Sequence, residues 1–154
     1  MMKKNLFQKI AYCTDFSDHA NEAFLTAKDL ATHYGASLHI VHVMATYSAP
    51  IGEAYFPEEQ DATLLAKASQ AAREAIEENY VSSLPEDLAH DVHLLSGYPA
   101  TEIVSLAREK GIDLIVMGSH GLTGVAHVLF GSTADRVVRK APCSVLTVRF
   151  PEKD

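Results

Sequence analysis

Residues Leu114-Ile115-Val116-Met117-Gly118-Ser119-His120-Gly121 run on through Leu122-Thr123-Gly124-Val125-Ala126-His127-Val128-Leu129-Phe130 to Gly131-Ser132-Thr133. The apolar run Leu114 to Met117 reads as a short parallel strand buried on both faces. Glycines just past its carboxyl end let backbone N–H groups approach an anion with no Cβ in the way. Ser132 or Thr133 then stands at the start of a helix through Ala134-Asp135-Arg136-Val137-Val138-Arg139. Its free N–H groups and positive dipole end face whatever the glycines surround. Strand, glycine loop and helix in this order look like a phosphate cradle.

The same alternation extends towards both ends of the chain. Lys9 to Thr14 reads as a strand, and Ser17 or Asp18 caps a helix to about His33, with Ala20, Ala23, Phe24, Ala27, Leu30 and Ala31 on one face and Gly35 as its stop. Ser37 to Val43 is a second strand. The stretch from Ala45 to Pro57 is a loop long enough to act as a lid. A long helix from about Glu58 to Val81 follows, its predicted buried stripe formed by Leu64, Leu65, Ala68, Ala72, Ala75 and Ile76, and Leu84-Pro85 ends it. Asp91 to Ser96 is a third strand, Ala100 to Lys110 a helix stopped by Gly111, and Ser144 to Arg149 a fifth strand after the break at Ala141-Pro142. Strands alternating with helices predict one doubly wound, five-stranded parallel sheet flanked by helices, with ligands beyond the carboxyl ends of the strands where strand order reverses.

The chain has 154 residues, 47% of them hydrophobic and 21% charged, which suits a single folded domain over 1–154 rather than a disordered chain. No apolar stretch approaches a membrane span and no signal peptide is evident, so a cytoplasmic location is expected. A net charge of −7 repels nucleic acid and anionic membrane surfaces, and any anionic ligand must be held by local backbone groups. Cys13 and Cys143 lack metal-ligand spacing and fall on opposite rims of the predicted sheet, so no disulfide is expected.

Two familiar nucleotide fingerprints are missing: there is no Gly-x-x-x-x-Gly-Lys-Ser/Thr loop, and no Gly-x-Gly-x-x-Gly follows the first strand. Instead the chain carries Gly118-x2-Gly121-x9-Gly131-Ser132 and an Asp at the end of the first strand. With Cys13-Thr14-Asp15-Phe16-Ser17, His42-Val43, Met117-Gly118-Ser119-His120-Gly121 and Ala141-Pro142-Cys143-Ser144-Val145-Leu146-Thr147-Val148, this resembles the universal stress protein family, in its ATP-binding branch, over nearly the whole chain.

That resemblance implies a Rossmann-like sheet of the adenine-nucleotide α-hydrolase kind. It implies that Gly118, Ser119, His120, Gly121, Gly131, Ser132 and Thr133 surround ribose and phosphates, while Thr14, Asp15 and Val43 line the adenosine end. Cys13 and Met117, inside the matching motifs, are included with the site. Many members have proline at the position of Cys13. Asp15 could accept from ribose or adenine, help hold a Mg²⁺ that bridges the phosphates, or simply cap the helix. ATP is the implied ligand, with AMP and ADP as alternatives. Family members commonly dimerise through the last strand, so a homodimer through Ser144 to Arg149 is expected, with a regulatory output through a further protein partner.

The expected function is a nucleotide-regulated stress-response module with no or slow hydrolysis. A slow ATPase and a nucleotide-free dimeric adaptor are the rival readings. No catalytic residue is assigned, because neither a P-loop lysine nor an arginine finger is apparent. His39 with His42 and His90 with His93 invite a metal reading. Three-residue spacing on a strand sets the two side chains on opposite faces, so these pairs read as structural and no protein metal ligand is assigned. Cys13 reads as a small buried hydrophobe rather than a redox sensor.

Overall fold

The computed structural model describes residues 5–45, 59–120 and 130–150. Five strands, β1 (Lys9–Thr14), β2 (Ser37–Ala45), β3 (His90–Gly97), β4 (Leu114–Gly118) and β5 (Ser144–Val148), form one sheet in the order β3-β2-β1-β4-β5. All four pairings are parallel. The chain winds outward from β1 through β2 to β3, then returns to the other side of β1 to lay down β4 and β5. The strand order therefore reverses between β1 and β4, where Cys13 pairs with Met117.

Helices α1 (Asp18–Tyr34), α2 (Glu59–Asn79), α3 (Pro99–Lys110) and α4 (Ser132–Lys140) flank the sheet. Side chains alternate between faces along each strand, so the core divides in two. Ile10, Tyr12, Leu38, Ile40, Leu114 and Val116 pack with Ala23, Phe24 and Ala27 of α1 and with Ile76 and Tyr80. On the opposite face Ala11, Cys13, Val41, Ile115 and Met117 pack with Ile103, Leu106 and Ala107 of α3 and Ala134 and Val137 of α4. This is the Rossmann-like, doubly wound architecture the strand and helix alternation predicts.

Local signals explain most element ends. Ser17 caps α1 by accepting the Ala20 N–H at 3.2 Å. Gly35 closes it in the left-handed region at φ 62°, a conformation costly for a residue with a Cβ. Pro99 takes the first position of α3, where a missing N–H costs nothing.

The predicted stripe of α2 is only half realised. Ala72 and Ile76 are buried, but Leu64 and Leu65 are 63% and 50% exposed and Ala68 is exposed as well. Helical spacing identifies a face, not how much sheet lies beneath it. Among the described residues the amino half of α2 has little to pack against. The lid assigned to 45–57 begins at the last residue of β2, and the rest of it lies outside the described residues. Both cysteines are free thiols. No helix among the described residues is long and apolar enough to cross a membrane.

Candidate functional site

The crevice at the β1/β4 reversal is built from the last residues of β1, β2 and β4 and the first turn of α4. In an open parallel sheet this is the one place where neighbouring crossovers diverge to opposite faces and leave the strand ends uncovered. Thr14 ends β1 opposite His42, so Val43, Met44 and Ala45 project beyond it while still paired with β3. Val43 is half-buried, and its backbone lies past the last β1 pairing.

The two flanks of the glycine motif are tied together. Gly131 donates its N–H to the Ser119 carbonyl at 2.7 Å, and Ser119 donates its own N–H to the Val148 carbonyl at 2.9 Å. The Ser119 side chain is 1% exposed and its hydroxyl lies 3.0 Å from His120 Nδ1. Ser119 therefore pins the base of the loop with its amide, carbonyl and hydroxyl. Gly121 lies outside the described residues.

Gly131 is the N-cap of α4, in extended conformation and with no side-chain cap bond. Ser132, one of the two hydroxyl residues expected at the start of this helix, is its first residue. A cap without a side chain has nothing of its own to accept the first-turn N–H groups, which suits an external anion. Ser132 is exposed and Thr133 half-buried at this end.

Gly118 has a packing role. A Cβ placed there would meet the backbone carbonyl carbon and Cβ of His19, each at 3.0 Å, and the His19 carbonyl oxygen at 3.1 Å. The first turn of α1 thus lies directly against the end of β4. His19 carries the one buried side-chain polar atom among the described residues with no hydrogen bond, Nδ1, and its ring sits 5.4 Å from His120 and 5.5 Å from Phe150.

On the β1 side, Asp15 Oδ1 accepts the Ser17 N–H at 3.0 Å, closing a short turn just ahead of the Ser17 cap. Phe16, between them, has φ 63°, rare for a residue with a Cβ. Its N–H donates to Thr14 Oγ1 at 3.0 Å, and its ring lies 4.6 Å from that of His42 and nearly parallel to Tyr80. Tyr80 donates to Asn21 Oδ1 at 2.8 Å, so the 2.8 Å contact between Thr14 Oγ1 and the Tyr80 oxygen uses the Thr14 proton. His42 Nδ1 donates to the Thr14 carbonyl at 2.8 Å.

Three of the residues assigned to the site from sequence therefore face inward. The Thr14 hydroxyl is committed to Tyr80 and Phe16. Cys13 and Met117 are 7% and 6% exposed, with side chains in the core under α3 and α4. Burial pushes the Cys13 thiol up to about 12, so it stays protonated. Only the backbone of these residues is near the crevice. Tyr80, 2% exposed, carries no signal in the sequence because, within a helix predicted to run to Val81, it lies far from every motif. His19 was missed because a histidine in the first turn of a helix carries no signal of its own.

Residues 6–149 match the sequence profile of the universal stress protein family. The chain belongs to the universal stress protein family. Universal stress protein MJ0531 of Methanocaldococcus jannaschii is 36% identical over 154 residues, covering 98% of this chain and 87% of that protein. Among solved structures, that of MJ0577 superposes with a TM-score of 0.79 at 27% identity, covering 96% of this chain and 99% of the other. MJ0577 is itself a universal stress protein of the same organism. A universal stress protein solved in complex with cAMP superposes with a TM-score of 0.60 at 28% identity, covering 92% and 96%.

Proposed function

We propose that this universal stress protein binds an adenine nucleotide, ATP foremost, in the β1/β4 crevice and acts as a nucleotide-regulated stress-response module. The observation that carries the reading is the cradle itself. Ser119 and Gly131 are hydrogen-bonded at the strand-order reversal, and α4 opens there behind a glycine cap with no side-chain bond. An anion at that point meets first-turn amide donors and the positive helix end. The cAMP complex of a relative supports the nucleotide class.

In this reading Gly131, Ser132 and Thr133 contact the phosphates, and glycine at 121 and 131 permits the close backbone approach that a Cβ would bar. Val43 offers backbone groups to the adenine edge, and Asp15 takes the ribose or a phosphate-bridging Mg²⁺. Thr14 and Ser119 act by holding these groups in place, and His120 stands beside the cradle on the Ser119 hydroxyl. The protein pairs with a second copy through β5, an edge strand with Leu146 37% exposed. Nucleotide occupancy biases the surface presented to a protein partner, and turnover is absent or slow.

The test is titration calorimetry of nucleotide-stripped protein with ATP and Mg²⁺, followed by nucleotide analysis of the same mixture after an hour. Saturable binding with ATP intact is expected. Turnover of several ATP per second makes the protein an enzyme instead, and no binding at all makes it a nucleotide-free adaptor.

A further inference from the structure

Histidines three apart on one strand do lie on opposite faces, but the sheet brings together histidines from neighbouring strands. His39 pairs with Asp91 across β2 and β3, and Val41 with His93. His39, Asp91 and His93 therefore project from the same face, that of α3. His39 Nδ1 and His93 Nε2 are 2.9 Å apart. The ring planes are within 11° of parallel and the centroids 5.2 Å apart, so the rings meet edge to edge through their nitrogens rather than face to face. One ligand atom from each of the three residues lies within 4.8 Å of the others.

We propose that His39, His93 and Asp91 form a binding site for a divalent transition ion of the zinc type. The donor set, two imidazoles and a carboxylate, is the set that borderline ions such as Zn²⁺ select. Tetrahedral Zn²⁺ with N ligands at about 2.0–2.1 Å needs the two nitrogens roughly 3.3 Å apart, so the pair opens by about 0.4 Å and the rings, now end to end, tilt until both lone pairs converge on the ion. The tautomer is already prepared. Ser37 Oγ lies 3.3 Å from His39 Nε2; with the proton on Nε2, the Nδ1 lone pair faces His93. In the metal-free protein His93 Nε2–H donates to that lone pair, and the ion takes the place of this proton once His93 carries its proton on Nδ1.

Access agrees with a solvent-loaded site. His39 is buried and holds the inner ligand rigidly, while His93 is half-buried and Asp91 is exposed on the edge strand β3, free to swing its carboxylate onto an entering ion. Water completes the coordination from the open side. Lys9 and Lys110 place positive charge near the pair, and Asp91 and Glu109 oppose it. The site sits towards the amino ends of the strands, away from the crevice at their carboxyl ends.

The test uses the full chain stripped with EDTA and titrated with ZnCl₂ by calorimetry, and with CoCl₂ by visible absorption. One equivalent of micromolar affinity is expected in the wild type. Loss of a second-shell partner alone typically weakens a metal site by about 10- to 100-fold, so His93→Gln and Asp91→Asn should each weaken binding by more than about tenfold and remove the cobalt band. His33→Gln, an exposed histidine on α1, should change nothing. Asp91 is exposed, so Asp91→Asn keeps the test valid even where a histidine variant folds poorly. Wild-type affinity in both His93→Gln and Asp91→Asn, or no zinc taken up by the wild type, overturns the assignment. ATP affinity measured in parallel should be unchanged in all three variants.

Discussion

Tyr80→Phe removes one oxygen from beneath the crevice, and the structure specifies what that oxygen does. It accepts from Thr14 Oγ1 and donates to Asn21 Oδ1, both at 2.8 Å. Asn21 is exposed and turns to water, so its loss is small. Thr14 is 6% exposed, and its hydroxyl proton loses this 2.8 Å acceptor. An unsatisfied buried polar group costs about 1–3 kcal/mol. For a chain of this size each kcal/mol moves Tm by about 2–4 °C, so a fall of at least roughly 2 °C is expected, with a matching drop in urea midpoint. Thr14→Val should also destabilise, since it strands the Phe16 N–H that Thr14 Oγ1 accepts. The double variant no longer contains the orphaned Thr14 hydroxyl, and should be less destabilised than the sum of the singles by about 0.5 kcal/mol or more. Urea unfolding of the four proteins measures this directly. A Tyr80→Phe variant as stable as wild type, or strictly additive single effects, would refute the assignment of the Thr14 proton to Tyr80.

Gly118→Ala forces a Cβ to 3.0 Å from the backbone of His19, and because backbone cannot rotate away, overpacking of about 1–3 kcal/mol is expected in urea unfolding; an unchanged midpoint would show that α1 yields freely. Native protein treated with a thiol reagent at pH 8 should label at Cys143 well before Cys13, since Cys13 is buried with its thiol pushed up to about 12; equal rates would contradict that burial. Burial also lowers the His39 and His93 pKa values below their ordinary 6.5. In EDTA the unfolded chain therefore takes up protons that the folded chain refuses as pH falls through about 6.5, and stability falls with it. His93→Gln should flatten that acid slope, and a slope unchanged by His93→Gln would assign it to other groups.

Much of the architecture was legible because the signals were local. Ser17, Gly35, Pro99 and Gly111 mark helix ends by their own backbone chemistry, and the apolar runs at Ile10 and Leu114 are strands whatever surrounds them. The segment from β4 through the glycines to the start of α4 was legible for a related reason, since glycines and a helix start after a buried strand need no knowledge of distant contacts. What escaped depends on pairings between segments far apart in sequence. Tyr80, 66 residues away from Thr14, takes the proton of its hydroxyl, a contact no local pattern announces. Leu64 and Leu65 fit an apolar stripe, yet periodicity says nothing about how far the sheet extends beneath a helix. His39 and His93 are 54 residues apart, and only the β2–β3 register makes neighbours of them.

The hydrogen bond from Ser119 to the Val148 carbonyl has a mechanical consequence. It joins the stem of the glycine loop to the last residue of the outermost strand. A force applied along the free edge of β5 reaches Ser119 through that bond, and reaches Gly131 and the start of α4 through the next. The rim of the sheet and the mouth of the crevice are thus separated by two hydrogen bonds in series.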